Sequence, residues 1–211
     1  MRIVKEAEER KNEILDVAAR LFSVKGFDNT STNDILQEVG IARGTLYYHF
    51  QSKEEILDAV IDRMIGRMLA KAKSLVRQKE IPVLQRLTLA IRAVQISDSW
   101  GDALMEQIHR PQNALMHQKM QERLLAGMNP LLTELLEEGV AGGICHTDYP
   151  AEVAEMTFLY AAIAFDDHAA LSEEERQRKM EAFIYNLERL LRMEQGSMME
   201  AVLPLFLNGA Q

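Results

Sequence analysis

An all-α protein is what the sequence predicts, on three observations. Helix formers dominate: Leu, Ala, Glu, Met and Arg abound, whereas the 211 residues hold only 5 Pro and 11 Gly. Apolar residues recur at helical spacing in most segments. Glycines and Ser-x-x-acid pairs, which stop and start helices, fall between those segments. The length suffices for one large domain or two small ones with a proper core. Three short helices are expected over residues 1–52, and a larger helical region over 53–211.

The elements follow in order. Ile14, Leu15, Ala18, Leu21 and Phe22 form one stripe of a first helix, which Gly26 ends. Ser31 with Asp34 reads as a capping box opening a second helix with Ile35, Leu36 and Val39 inside. Gly40 makes a turn, and a third helix puts Leu46 and Phe50 on one inward face. Ser52 with Glu55 opens a long fourth helix striped by Ile56, Leu57, Val60, Ile61, Met64, Ile65 and Met68. Further on, Leu84, Leu87, Ile91 and Val94 make another stripe. Pro111 separates a short helix around Trp100 and His109 from a longer one carrying Leu115, Met116, Met120, Leu124, Leu131, Leu132, Leu135 and Leu136. Pro130 is expected to kink or break that longer helix. Gly139, Gly142 and Gly143 close it. Two helices follow at roughly 151–169 and 173–193, the second announced by Ser172, Glu173, Glu174 and Glu175.

Those last two helices are broadly apolar. One is rich in small residues (Ala151, Ala154, Ala161, Ala162, Ala164), and the other repeats Met180, Phe183, Ile184, Leu187, Leu190 and Leu191. Either both complete the core, or they form a helix-pair dimer interface doubled by two-fold symmetry. The apolar segment 198–206 either covers the same surface or is disordered.

Bulk properties exclude several classes. A net charge of −8 argues against a nonspecific nucleic-acid coat. Cys145 is the only cysteine, so no intramolecular disulfide forms, as suits a reducing compartment. The N-terminus is charged rather than apolar, and the longest apolar run, 158–165, is too short to span a bilayer, so a cytoplasmic protein without a membrane partner is expected. No GxGxxG, GxSxG, P-loop, HExxH or CxxC pattern is present, so neither an enzyme nor a cofactor is expected. Cys145, His146 and Asp148, with Asp166, Asp167 and His168 or with His109 and His117, are the residues for a metal- or thiol-responsive alternative. Read singly they are ordinary residues, and no metal site is assigned.

The most informative stretch is 30–50. Its third helix spends most of its surface on Arg43, Thr45, Tyr47, Tyr48 and His49. A short helix so rich in donors and aromatics suits the DNA major groove. Arg43 is able to bond guanine O6 and N7 bidentately, and Thr45 and Tyr47 to meet a thymine methyl or a phosphate. Alone, Tyr47 could be a packing residue and His49 an ordinary surface histidine. Lys5, Arg10 and Lys11 alternate with Glu6, Glu8 and Glu9, which reads as a solvated face before it reads as a DNA-binding arm.

Thr30, Ser31, Ile35, Val39, Gly40, Ile41, Gly44, Tyr47, Phe50, Lys53 and Leu57, preceded by Ala18, Leu21, Phe22, Gly26 and Phe27, form a long spaced pattern. It resembles the TetR (tetracycline-repressor-like) transcriptional regulators over residues 8–68. The resemblance implies a helix-turn-helix DNA-binding domain and, in architecture only, a helical effector-binding and dimerisation domain. It puts Arg43, Gly44, Thr45 and Tyr47 on bases, Tyr48, His49 and Lys53 on phosphates, and Thr32 and Asn33 at a phosphate or base contact. Ala42 departs from the Ser or Thr of many relatives and gives up a helix cap. An apolar effector pocket is expected from Trp100, Met105, His109, Met116, Met120, Leu124, Phe158 and Tyr160, each of which is singly a plausible core residue. The implied function is a homodimeric repressor of a near-palindromic double-stranded operator. A small hydrophobic effector would release it, with the long helix from Ser52 as lever. An enzyme with a helical cavity and an effector-free architectural DNA protein are the rival classes.

Overall fold

The computed structural model describes residues 7–95, 114–165 and 171–207. Among them every regular element is an α-helix: α1 (Ala7–Lys25), α2 (Thr32–Val39), α3 (Arg43–His49), α4 (Lys53–Val76), α5 (Val83–Gln95), α6 (Ala114–Ala141), α7 (Pro150–Ala164), α8 (Glu173–Leu190) and α9 (Ser197–Leu207). The expected helix around Trp100 and His109, Pro111, and the Asp166, Asp167 and His168 cluster lie outside the described residues. No described helix is long and apolar enough to cross a membrane.

The chain divides into two compact units. Among described residues the first holds 7–67 and 114–123, that is α1 to α3, the start of α4 and the first turns of α6. Its core contains the expected stripe of α1 together with Ile35, Leu46, Phe50, Ile56, Leu57, Val60 and Ile61, all buried. Gly26 ends α1 at φ 84°, and its amide donates to the Phe22 carbonyl. Ser31 and Asp34 form the reciprocal capping box. At α4 the device is different. The Ser52 hydroxyl accepts from the Glu55 amide, but the Glu55 carboxylate reaches past Ser52 to the Gln51 amide.

The second unit holds 68–95, 124–165 and 171–207. Here α5 corrects the sequence expectation. Leu84, Leu87, Ile91 and Val94 are only half-buried, and the buried line is Arg86, Ala90 and Ala93. Arg86 is 1% exposed. Its guanidinium donates to the Val76 carbonyl (2.8 Å), the Ile81 carbonyl (2.8 Å) and the Glu138 carboxylate. It therefore satisfies the frayed end of α4 and the α4–α5 link while binding α6. A buried cation persists because each of its three guanidinium nitrogens meets an acceptor. Lys79 adds hydrogen bonds to Glu134 (3.1 Å) and Glu138 (2.6 Å).

Pro130 does not break α6, which runs unbroken through it. A proline removes one amide and crowds one carbonyl, yet the buried Met128, Leu131, Leu132 and Leu135 on either side keep this helix packed. Leu115 departs from the expected inner stripe and is exposed. Segment 198–206 is not disordered; it lies within α9. Met198 and Val202 join Met180, Ile184 and Leu191 of the α8 region in one apolar cluster, with Cys145 and Val153.

Glu188 locks this arrangement. It is 3% exposed, and its two carboxylate oxygens accept from the amides of Gly196, Met198 and Met199 at 2.9–3.0 Å. A carboxylate at a helix start satisfies orphan amides and meets the positive end of the helix dipole.

Glu138 generates a prediction. Hydrogen bonds from Arg86 first, then Lys79, hold its carboxyl at about 2. A depressed carboxylate stabilises the fold above the unfolded value and loses that contribution as pH falls toward the folded value. Urea unfolding followed from pH 6 to pH 2 should therefore lose stability below about pH 4.5, and Glu138→Ala should flatten that loss. At neutral pH the same substitution leaves Arg86 buried and unpaired, costing about 3 kcal/mol.

Candidate nucleic-acid interface

The helix-turn-helix is built from local signals. Gly40 adopts φ 73°, a left-handed conformation that other residues enter at a cost, and its amide donates to the Leu36 carbonyl (2.9 Å). Ile41 donates to the same carbonyl (3.2 Å), so the chain leaves α2 by a tight turn. Leu46 and Phe50 then pin α3, at 1% and 3% exposure.

The opposite face of α3 is open. Arg43, Gly44, Tyr47 and Tyr48 are exposed, Tyr48 by 76%, and Thr45 is half-buried. The Arg43 guanidinium lies 5.8 Å from the Tyr47 ring centroid, one helical turn away. The pair presents a planar donor fork braced on an aromatic. Ala42 gives no side-chain cap, and within the first turn of α3 the Thr45 amide donates to the Ala42 carbonyl (2.9 Å). Thr32 is half-buried and Asn33 exposed on the first turn of α2.

His49 is half-buried, with ring contacts to Tyr48 (5.0 Å) and Phe50 (6.5 Å). Lys53 does more than the sequence suggests. Its Nζ donates to the Phe27 carbonyl (2.8 Å) and sits 4.2 Å from the Phe27 ring centroid. An ammonium has three donors, so this tie leaves others for a phosphate.

Several supports escaped sequence reasoning. Thr30 is buried, and its hydroxyl meets the carbonyls of Gly26 (2.8 Å) and Leu21 (3.3 Å), closing the end of α1. Arg20 pairs with Glu38 (2.5 Å) and Lys25 with Asp34 (2.9 Å), tying α1 to α2. The Ser31 hydroxyl, then Lys25, then the Ser31 amide keep the Asp34 carboxyl far below the usual carboxylate range. Arg63 of α4 reaches the Asn12 carbonyl (3.3 Å) and Asp16 (2.8 Å) of α1. No motif announces these pairs, because their members lie far apart in the chain.

The expected effector-pocket residues are only partly gathered. Trp100, Met105 and His109 lie outside the described residues. Met116 and Met120 are buried in the first unit and Leu124 in the second. Phe158 is half-buried. Tyr160 is exposed and stacks on Phe183 (5.1 Å), with Phe165 edge-on. A separate apolar cavity of about 20 Å³ lies among Leu84, Leu87, Leu135, Ile144, Cys145 and Met198, room for about one water. Cys145 is buried there, and burial pushes its thiol up, the opposite of a reactive thiolate. No group of three metal-ligating side chains occurs among the described residues.

Comparison with known proteins agrees with the geometry. Residues 14–60 match the family model of bacterial regulatory proteins, tetR family. Residues 98–184 match that of the tetracyclin repressor-like C-terminal domain. The HTH-type transcriptional repressor KstR2 of Rhodococcus jostii (strain RHA1) is 32% identical over 151 residues, covering 69% of this chain and 72% of that protein. The fatty acid metabolism regulator protein of Bacillus subtilis (strain 168) is 27% identical, covering 62% of this chain and 68% of that protein. Among solved structures, Salmonella enterica GusR superposes with a TM-score of 0.61 at 23% identity, covering 90% of this chain and 98% of that one.

Gly40 and Gly44 both have open space where a Cβ would sit, but only Gly40 has positive φ. Gly40→Ala should cost about 1–2 kcal/mol through strain alone, whereas Gly44→Ala should leave stability unchanged or raise it. Differential scanning calorimetry distinguishes the two. Equal melting temperatures would remove the turn argument.

Proposed function

The chain belongs to the TetR family of bacterial regulatory proteins, and we propose that it is a homodimeric repressor, reading a near-palindromic operator through α3 and released by a small hydrophobic effector. It is a sequence-specific DNA-binding transcriptional regulator by family, and such proteins are typically not enzymes. The observation that carries the operator reading is the division of α3: Leu46 and Phe50 are buried beneath it, and Arg43, Gly44, Tyr47 and Tyr48 are open above it.

In this reading Arg43 takes a guanine edge. Tyr47 holds the guanidinium plane, so less side-chain entropy is lost on binding. Gly44 lets the backbone approach the groove, while Thr45 contacts a base or its methyl. Tyr48, His49 and Lys53 meet phosphates, with Thr32 and Asn33 at the start of α2, fixing register rather than sequence. Two such helices in a dimer enter successive major grooves about 34 Å apart.

An exposed stripe supports the dimer. Met156, Leu159, Tyr160 and Ile163 recur at i, i+3, i+4 and i+7 along α7, and all are exposed; Tyr185 and Leu190 of α8 are exposed as well. A soluble chain covers such a stripe, and a two-fold axis does so with a second copy. The buried thioethers of Met116 and Met120, adaptable in shape, support an apolar effector on α6. An effector that binds the released conformation better shifts the population away from DNA.

Two measurements test this reading. Selection from random duplex DNA should return a near-palindrome, and Arg43→Ala should relax one base position in each half-site, by about 1–3 kcal/mol of discrimination. A selection that returns no consensus sinks the proposal. Separately, Leu159→Asp with Ile163→Asp changes only exposed positions, so folding should survive. Sedimentation should then show monomers that bind the operator weakly; an intact dimer would remove α7 from the interface.

A further inference from the structure

The first turns of α6 belong to the same compact unit as the helix-turn-helix, though more than sixty residues separate them in sequence. What joins them is ionic. Lys119 Nζ lies 2.7 Å from Asp58 Oδ1, and Arg123 Nη2 lies 3.0 Å from the same oxygen. Arg123 Nε also pairs with Asp62. Asp58 and Asp62 are one turn apart on α4, and Lys119 and Arg123 one turn apart on α6, so two cations and two carboxylates face each other as a ladder. Burial alone would raise the Asp58 carboxyl, but hydrogen bonds from Lys119 and Arg123 outweigh it and keep it ionised. On another side of α4, Arg63 grips Asn12 and Asp16 of α1. The start of α4 is therefore held by charge from two directions, one of them the domain that carries α3.

We infer that Lys119 and Arg123 are positioning residues for DNA binding, acting through Asp58 and Asp62 to fix α4 and, through Arg63, the helix-turn-helix. The inference rests on the operator reading above. A dimer binds two half-sites only when both recognition helices are set at one spacing. An α4 already locked to α6 loses less freedom when the operator is engaged, so breaking the ladder weakens specific binding. The partners are 25–60% exposed, which makes the ladder labile enough to be opened by an event on α6.

Charge reversal separates this from general electrostatics. Asp58→Lys with Asp62→Lys adds positive charge, which by itself tightens any DNA complex. The ladder requires the opposite. Affinity of the full-length dimer for its selected operator should fall about ten-fold at fixed salt, while affinity for unrelated duplex holds or rises. Lys119→Glu with Arg123→Glu should weaken the operator complex similarly, and combining all four substitutions should restore it to within about three-fold. Should a reversal unfold the chain, Arg123→Gln with Lys119→Gln gives the same direction at smaller size. Tighter or unchanged operator binding by the Asp58→Lys, Asp62→Lys protein, or failure of the four-fold swap to restore affinity, overturns the inference. A wild-type chain that selects no sequence overturns the operator reading itself, and this one with it.

Discussion

A seven-residue helix has no stability of its own in water, and α3, the proposed readout surface, is such a helix. α3 exists because Leu46 and Phe50 bury beneath it. That packing is fixed in turn by the left-handed turn at Gly40 and by α1, α2 and the start of α4. Fully burying such a side chain contributes about 1.5–3 kcal/mol. That stabilisation frees the outward positions from any folding role: Arg43, Gly44 and Tyr47 do nothing for the core. Gly44 even weakens the helix, a cost that fits the proposed approach of the backbone to DNA.

An acidic protein that reads DNA must also keep its cations sorted. Many are spent inside the chain. Arg20, Lys25 and Arg63 tie helices of the first unit, Lys119 and Arg123 tie α6 to α4, and Arg86 is wholly buried. Arg43 is different, since among the described residues its guanidinium rests on an aromatic ring rather than on a carboxylate. A cation held by a ring keeps its donors for a base edge. Net charge of −8 then opposes nonspecific association, so affinity has to come from shape and matched contacts at a few positions.

The fold class and the helix-turn-helix were legible in the sequence because their signals are local. Gly26, Gly40, the Ser31–Asp34 box, the Ser172–Glu175 box and the apolar stripes of α1 and α4 all act within a few residues, and each operates as its chemistry suggests. Long-range pairing was not legible. No pattern near Arg86 marks it for burial, because its acceptors come from residues 76, 81 and 138. Glu188 caps α9 across a turn that no periodicity reveals. Pro130, expected to kink or break α6, leaves it unbroken for a related reason. The local rule counts the lost amide but not the packing on both sides that keeps α6 whole. The expected effector pocket was the least legible part, because hydrophobic residues on a helix look alike whether they face a core or a ligand.

The two ionic systems differ in how they resist change, and that difference bears on regulation. Arg86 has no access to water, so separating it from Glu138 leaves a bare buried charge, which costs several kcal/mol. No ordinary binding event selects such a state, and the α4–α5 joint behaves as a fixed part. The Asp58–Asp62–Lys119–Arg123 ladder is half in water, where each pair contributes about 1 kcal/mol or less and a broken partner is simply rehydrated. A regulator needs a rearrangement within reach of the few kcal/mol that a ligand supplies through differential binding. Of the two, only the ladder meets that condition, and it grips α4 in the same unit as the proposed recognition helix.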